Sequence, residues 1–273
     1  METKLAPGFH VRPGRAVDAS AYDQFIGRWS RLFVPLVLGA ADVQPGDQVL
    51  DVATGTGEAA VAIMPVIGPS GRLVSADIAP AMLESARGRL KEQVFLPVAA
   101  DGQALPFADC TFDVVVCQLG LQFFPNPGLG LQEFRRVLRG GGRAGICVIS
   151  TPDRAPMWGV LADVLGRVLP EQRPIVGLSF SLADPARLES LLISAGFHEV
   201  RVERQTRKGR FDSFDEYWEP IEAGIGSMPQ IYLTLPDAAR RAVREEVRTK
   251  LAKFEAGGQL RMGIEMLIGS GRA

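Results

Sequence analysis

The sequence predicts an α/β fold built on a mostly parallel sheet. Short apolar runs alternate with helical segments from Gln48 to Ser150, and such alternation builds a parallel sheet through right-handed crossovers. The runs are almost continuously apolar, as in a sheet covered on both faces. The 273 residues also include 30 Gly and 19 Pro, too many for a helical bundle, so most of them must sit in turns and at element ends.

Residues 1–20 carry Pro, Gly and charge without periodicity and read as a mobile arm. Phe25, Trp29, Leu32 and Phe33 recur at helical spacing and predict a helix near residues 21–38. Pro45-Gly46 marks a turn. The runs QVLDVA, RLVSADI, QVFLPVAA, FDVVVCQL and RAGICVIS then predict five strands. Between them lie predicted helices at Glu58–Ile67, Pro80–Lys91 and Pro127–Arg139. The third has Asn126 as its N-cap, Pro127 at its first position, and Leu131, Phe134 and Leu138 on one face. After Ser150 the rhythm changes. A helical stretch around Trp158–Leu169 stands between prolines, and Asp184-Pro185 opens a helix to Ala195 that Gly196 closes. HEVRVERQ reads as a strand, residues 212–256 as mainly helical, and QLRMGIEMLIG as a final strand. Neither a repeat nor a domain linker is visible.

Composition narrows the function. With 30 Lys+Arg against 31 Asp+Glu the net charge is −1, which gives no general attraction to nucleic acid or an anionic membrane. The basic run Arg201, Arg204, Arg207, Lys208 and Arg210 is interrupted by Glu203 and reads as a solvated face. No apolar run approaches the roughly 18 residues of a membrane helix, and METKLAPGFHVRPGR lacks the apolar stretch of a secretory signal. Cys110, Cys117 and Cys147 form no CxxC pair, so neither a disulfide framework nor a zinc site is expected, and a cytoplasmic location fits.

The strongest local signal is VLDVATGTGEAA, residues 49–60: a strand, a glycine turn and a helix. Glycines there let the backbone approach a ligand at the carboxyl edge of the sheet. Gly55-Thr56-Gly57-Glu58-Ala59-Ala60 fits GxGxxG/A, and Asp77 follows Gly55 by 22 residues, near the place of a ribose-binding acid. That much suits NAD or another adenosine-containing ligand. Asp51, just before the turn, disfavours a pyrophosphate and favours an ammonium or sulfonium. Asp101, in Ala99-Ala100-Asp101-Gly102, offers an acceptor for an adenine amino group.

At these residues the chain resembles class I S-adenosylmethionine (SAM)-dependent methyltransferases. LDVATGTGE, SADIAPAML, ADGQALPFADCTFDVVV and EFRRVLRGGGR carry the resemblance, in order, over roughly residues 20–150. It is closest to the ubiquinone/menaquinone-biosynthesis-like branch of small-molecule methyltransferases. Ala53 stands where that family has its first glycine, which implies slightly tighter packing. The resemblance implies a Rossmann-like single domain over residues 1–273, with a mostly parallel seven-stranded sheet, helices on both faces and a helical cap. Its parts would be an arm and helix (1–45), a SAM-binding core (46–150), cap insertions (151–183 and 212–256) and a final strand (257–273).

The resemblance also implies roles. Asp51 would face the methionine amino group. Ala53, Thr54, Gly55 and Gly57 would line the methionine and ribose. Asp77 would take the ribose hydroxyls, and Ile78 and Met82 would sandwich the adenine. Asp101 would read the adenine amino group, with Ala100, Gly102 and Gln103 beside it. Cys117 and Gln118 would meet the methionine end through their backbone. Tyr22, Trp29 and Ser30 would either close over the cofactor carboxylate or serve as plain helix packing.

Methyl transfer from a sulfonium chiefly needs the nucleophile held in line, which can supply roughly 7–11 kcal/mol. The sequence names no general base: His10 and His198 both read as surface residues. No acidic or histidine cluster with metal-ligand spacing is present. Gln122 sits near the expected transfer point, either orienting substrate or facing solvent. Trp158, Phe180, Phe214 and Trp218 lie in the predicted cap segments; core packing is their default reading, and their clustering makes an apolar or planar small-molecule acceptor the functional one. An NAD(P)-dependent oxidoreductase and a SAM-binding regulatory protein without turnover are the alternatives.

Overall fold

In the computed structural model the described residues are 26–90 and 95–273. The predicted arm, Phe25, Tyr22 and the first residues of the third predicted strand fall outside them. A helical turn, α1 (Arg28–Ser30), leads to α2 (Val34–Ala40), so the long helix expected near residues 21–38 is broken at residues 31–33. Pro35 in the first turn of α2 explains the break, because proline lacks the amide that would continue the preceding turn. The alternating unit follows: β1 (Gln48–Val52), α3 (Glu58–Ile67), β2 (Arg72–Asp77), α4 (Pro80–Arg89), β3 (Phe95–Ala99), β4 (Phe112–Gln118), α5 (Pro127–Val137) and β5 (Leu138–Ile149). Asn126 caps α5 through its side chain, which accepts from the Leu129 amide at 3.1 Å.

Beyond β5 come α6 (Pro156–Val168), α7 (Arg173–Gly177) and α8 (Pro185–Ser194), then β6 (His198–Phe211). Three helices follow, α9 (Phe214–Glu222), α10 (Ser227–Tyr232) and α11 (Asp237–Leu251), before β7 (Glu255–Ala256) and β8 (Gln259–Arg272). The sheet runs β3-β2-β1-β4-β5-β8-β6, with β8 antiparallel to both neighbours and the two-residue β7 pairing β8. The seven expected strands are therefore present, with β7 as a minor addition. Strand order reverses between β1 and β4, the place where such sheets open a crevice.

Two cores lie on opposite faces of the sheet. Val114 and Val116 of β4 join one, and Val115 and Cys117 join the other. β5 alternates in the same way, with Cys147 and Ile149 against Ile146 and Val148. That period of two on a sheet buried on both faces explains the near-continuous apolar strands. β6 and β8 extend past the sheet as a two-stranded ribbon: β5 pairs β8 only from Met266 to Arg272, while β6 pairs it back to Leu260. Glu265 pins this ribbon to the end of β5. It accepts from Ser150 Oγ at 2.8 Å and pairs with Arg204 and Arg154 at 3.0 and 3.1 Å. Burial alone would raise its pKa, but Ser150 and the arginines outweigh that and hold it low.

The ribbon end carries a chain of aromatic contacts. Trp29 meets Phe211 with ring centroids 5.0 Å apart, Phe211 meets Tyr217, Phe214 stacks on Trp218, and Trp218 meets Tyr232 edge-on. Trp29 also lies so close over Gly209 that an added Cβ there would come within 2.2 Å of the ring. Trp29, Phe214 and Trp218 are thus packing residues that tie α1, the ribbon and the cap helices together.

One contact closes the centre of the sheet. A Cβ built on Gly120 would lie 2.3 Å from the Cβ of Ala53 and 3.1 Å from Cys117 Sγ. Gly120 has an ordinary right-handed backbone, whereas Ala53 has φ +57. Gly120 is needed for space, and Ala53 bears the strain, about 1–2 kcal/mol for a non-glycine residue there. We predict that Gly120→Ala lowers unfolding free energy by about 1–3 kcal/mol through overpacking. Adding Ala53→Gly should recover at least half of the loss in urea titrations; purely additive effects would disprove the pairing.

Candidate functional site

The residues that end β1, β2, β3 and β4 converge on one cavity of about 1120 Å³, open to solvent on one side. Its lining includes Ala53, Thr54, Gly55, Asp77, Ile78, Met82, Ala100, Asp101, Gly102, Gln103 and Gln118, with Ser30 from α1. Twelve of the residues singled out from the sequence therefore share one wall. Asp51 stands directly behind it, fully buried. Gly57 is elsewhere: its φ of +86 turns the chain into α3, and a Cβ there would press on Ala86 of α4 at 3.2 Å. Cys117 faces the core, where burial pushes its thiol up to about 12. Trp29 packs as described above, and Tyr22 lies outside the described residues.

The acidic groups have distinct surroundings. Thr54 Oγ1 donates to Asp51 Oδ2 at 2.6 Å, while Asp51 Oδ1 has no hydrogen-bond partner. Burial pushes the Asp51 carboxyl up to about 7; the Thr54 hydroxyl opposes this and the nearby Asp77 adds to it. Asp77 accepts from the Gly55 amide at 2.8 Å and from the Ala79 amide at 2.9 Å, one bond on each oxygen. Burial raises its pKa despite those amides, and each oxygen keeps acceptor capacity. Asp101 accepts from the Gln103 amide at 2.9 Å, which closes the turn after β3. Glu58, at the start of α3, pairs with Arg31 and Arg89. Thr56 Oγ1 and Gln118 Oε1 are further buried atoms without partners, and both residues line the cavity. The edge is thus acidic and holds unused acceptors. That suits a cationic ligand with hydroxyl and amino donors.

Sequence reasoning missed part of the lining: Ile26, Gly27, Val52, Thr56, Glu58, Ala59, and the run Leu119, Gly120, Phe123, Phe124 and Pro125. Phe124 had no signal in the sequence, because its place depends on a tertiary fit. A Cβ on Gly102 would reach within 2.4 Å of its ring and one on Gly130 within 2.5 Å, so two glycines make room for one aromatic wall.

A second cavity of about 720 Å³ adjoins the first and shares Ile26, Leu119 and Phe123 with it. Leu119 has φ +58, the backbone strain of a non-glycine residue held at a crevice. Gln122 and Trp158 line this cavity, together with Ile149, Met157, Leu161, Ser179 and residues of α9 and α10. Phe180, Phe214 and Trp218 do not line it: Phe180 packs partly buried against the core, and the other two belong to the aromatic chain. Among the described residues no cluster of His, Cys, Asp and Glu could hold a metal ion, and no helix is long and apolar enough to cross a membrane.

Comparison with known proteins gives a consistent picture. The sequence profile described as the ubiE/COQ5 methyltransferase family matches residues 28–208. The chain is similar to ubiquinone/menaquinone biosynthesis C-methyltransferase UbiE from several bacteria. Identity is 35% to the Teredinibacter turnerae protein, over 49% of this chain and 55% of that one. It is 31% to the Idiomarina loihiensis protein, over 64% and 76%, and 30% to the Ectopseudomonas mendocina protein, over 67% and 78%. The chain thus spans little more than half of the first of these relatives and about three quarters of the other two. Among solved structures, a SAM-dependent methyltransferase from Aquifex aeolicus superposes with a TM-score of 0.51 at 19% identity, over 68% of this chain and 90% of that one. A Haemonchus contortus phosphoethanolamine N-methyltransferase in complex with S-adenosylhomocysteine gives 0.58 at 15% identity, over 93% and 56%. At these identities they show the shared fold.

Asp51 gives a pH test in the unliganded protein. A carboxyl whose folded pKa lies above its unfolded value favours the fold most at low pH, and loses that contribution as pH rises through about 7. Asp51→Asn removes the charge and keeps the shape. Its stability relative to the native chain should therefore grow by on the order of 2 kcal/mol between pH 5 and pH 8 in urea denaturation. A constant difference across that range would show that Asp51 is not a desolvated carboxylate.

Proposed function

Because the chain belongs to the ubiE/COQ5 methyltransferase family, and so uses SAM, we propose that it methylates a carbon or oxygen atom of a small apolar acceptor held in the second cavity. One observation carries this reading. Among the described residues, an acidic cavity at the ends of β1 to β4 abuts a second cavity with no charged lining, and Ile26, Leu119 and Phe123 are common to both. A cation-bearing cofactor and a neutral acceptor can therefore meet across three side chains. The relatives' printed role, C-methylation in ubiquinone/menaquinone biosynthesis, favours carbon and a quinone precursor ring as acceptor.

The residues present fit the cofactor. When bound, SAM supplies a methyl group already activated on a sulfonium. The buried, unpartnered Asp51 Oδ1 sets negative charge behind the wall, where the methionine ammonium would compensate it. Asp77 would hold the ribose hydroxyls with its remaining lone pairs. Ile78 and Met82 would pack on the adenine, and Asp101 would accept from its amino group. Ala53, Thr54, Gly55 and Gln118 would line the methionine side, with Ser30 held there by its bond from Gln118 Nε2 at 3.2 Å. A dinucleotide fits less well: its pyrophosphate would lie against the turn that follows the buried Asp51 carboxyl, where an anion-binding turn needs free amides and no carboxylate.

Among the described residues, the second cavity's lining holds no ionisable side chain. These residues can position and desolvate an acceptor, and the rate enhancement then rests on in-line alignment.

We expect Asp77→Ala to weaken SAM binding by about 1–3 kcal/mol, the loss of hydrogen bonds to a charged group. Isothermal titration calorimetry measures this, with thermal melting as the control for folding. Unchanged affinity would remove the ribose contact. Binding of NAD(P)H with none of SAM would overturn the function itself.

A further inference from the structure

The second cavity contains one feature that packing does not account for. Gln122 is 1% exposed and lines it, yet neither its Nε2 nor its Oε1 has a hydrogen-bond partner among the described residues. Burying a carboxamide with nothing to bond costs free energy, and native proteins keep such groups rarely. The side chain is not there by default of its backbone. Gln122 lies in a 3-10 turn after β4, and its carbonyl accepts from Ser181 Oγ at 2.6 Å, so the main chain is held independently of the amide. A leucine would fill the same space without the penalty.

The surroundings restrict what could satisfy the amide. Among the described residues the lining carries no charge: Ile149, Met157, Trp158, Leu161 and Met228 form its walls, and serines 179 and 227 add hydroxyls. A carboxylate, phosphate or ammonium carried in there would be desolvated with no counter-charge. A carboxamide presents one donor and one acceptor side by side in a plane. Its complement is a neutral group with an acceptor beside a donor, such as two neighbouring hydroxyls or a hydroxyl next to a carbonyl on a planar ring.

We propose that Gln122 is the specificity-determining residue of the acceptor cavity, and that it selects an uncharged, planar acceptor bearing an adjacent hydrogen-bond donor and acceptor. This rests on the reading of the second cavity as the acceptor site, and it adds the polar group by which the acceptor is recognised. Gln122 acts by positioning: it orients the ring and moves no proton.

The test uses binding, so it does not depend on turnover. The probes are 2,3-dihydroxynaphthalene and 2-naphthoate, matched in ring size but neutral and anionic respectively. Quenching of tryptophan fluorescence reports occupancy, because Trp158 lines the cavity. The native chain should bind the diol at least tenfold more tightly than the naphthoate. Gln122→Leu should weaken diol binding at least tenfold. It should also melt at the same temperature or higher, since it removes an unsatisfied buried amide. Gln122→Asn, which keeps the group on a shorter arm, should bind more weakly than the native chain and more tightly than the leucine variant. Equal binding of the two probes, failure to bind the diol, or unaltered diol affinity in Gln122→Leu would each overturn the proposal. So would a marked fall in melting temperature, because that would make the amide structural. A parallel SAM titration separates the two readings. Loss of the diol preference with intact SAM binding defeats this inference alone, whereas a diol preference without SAM binding defeats the proposed function.

Discussion

The reversal of strand order between β1 and β4 is the constraint on which the rest depends. The chain leaves β1 toward β2 and leaves β4 toward β5, so the two connections diverge and open a crevice at the carboxyl edge. Both exits are strained: Ala53 and Leu119 are non-glycine residues with φ near +57 and +58. The strain is sustained because Gly120 leaves room for the Ala53 methyl group and because the Leu119 amide donates to Cys147 in the neighbouring strand at 2.9 Å. With the exits fixed, the acids that end β1 and β2 and the one that follows β3 stand in a row. Each later feature of the site takes its place from that row.

The two cavities differ in electrostatic character, and the difference divides the work between them. Behind the first cavity, burial makes the charged form of Asp51 costly, a cost that a nearby cation would relieve. Around the second, the described residues bring no charge, and the Gln122 carboxamide has no partner among them. Both are groups whose cost is borne in the free protein and offset on binding, as preorganised sites require. Selectivity then comes from which penalty a given ligand can relieve.

Much of this was legible in the sequence, for identifiable reasons. The strands and the helices between them followed from periodicity. The N-cap at Asn126 followed from the Asn-Pro pair. Acids at the carboxyl ends of successive strands must share an edge in a parallel sheet, so Asp51, Asp77 and Asp101 could be grouped before any coordinates. What escaped has equally physical causes. For Trp29, Phe214 and Trp218 the sequence left core packing and a ligand wall both open, because an aromatic side chain serves either, and only tertiary packing decides. Phe124 lines the first cavity because Gly102 and Gly130 admit it, a three-body fit with no local signature. β6 runs on to Phe211, beyond the predicted HEVRVERQ, because β8 supplies a partner along its whole length.

The ribbon has a bearing on how such a molecule changes over evolutionary time. Phe211 and Leu260 are register partners, so the segment between them, which carries α9 to α11, starts and ends at adjacent points on the sheet. Loop-closure entropy scarcely penalises a longer or shorter excursion once its ends are already paired. α9, α10 and the loop between them supply Ile221, Ile225 and Met228 to the second cavity but nothing to the first. That segment is in effect a replaceable module. Its length and sequence can change and reshape the second cavity while the wall of the first stays as it is.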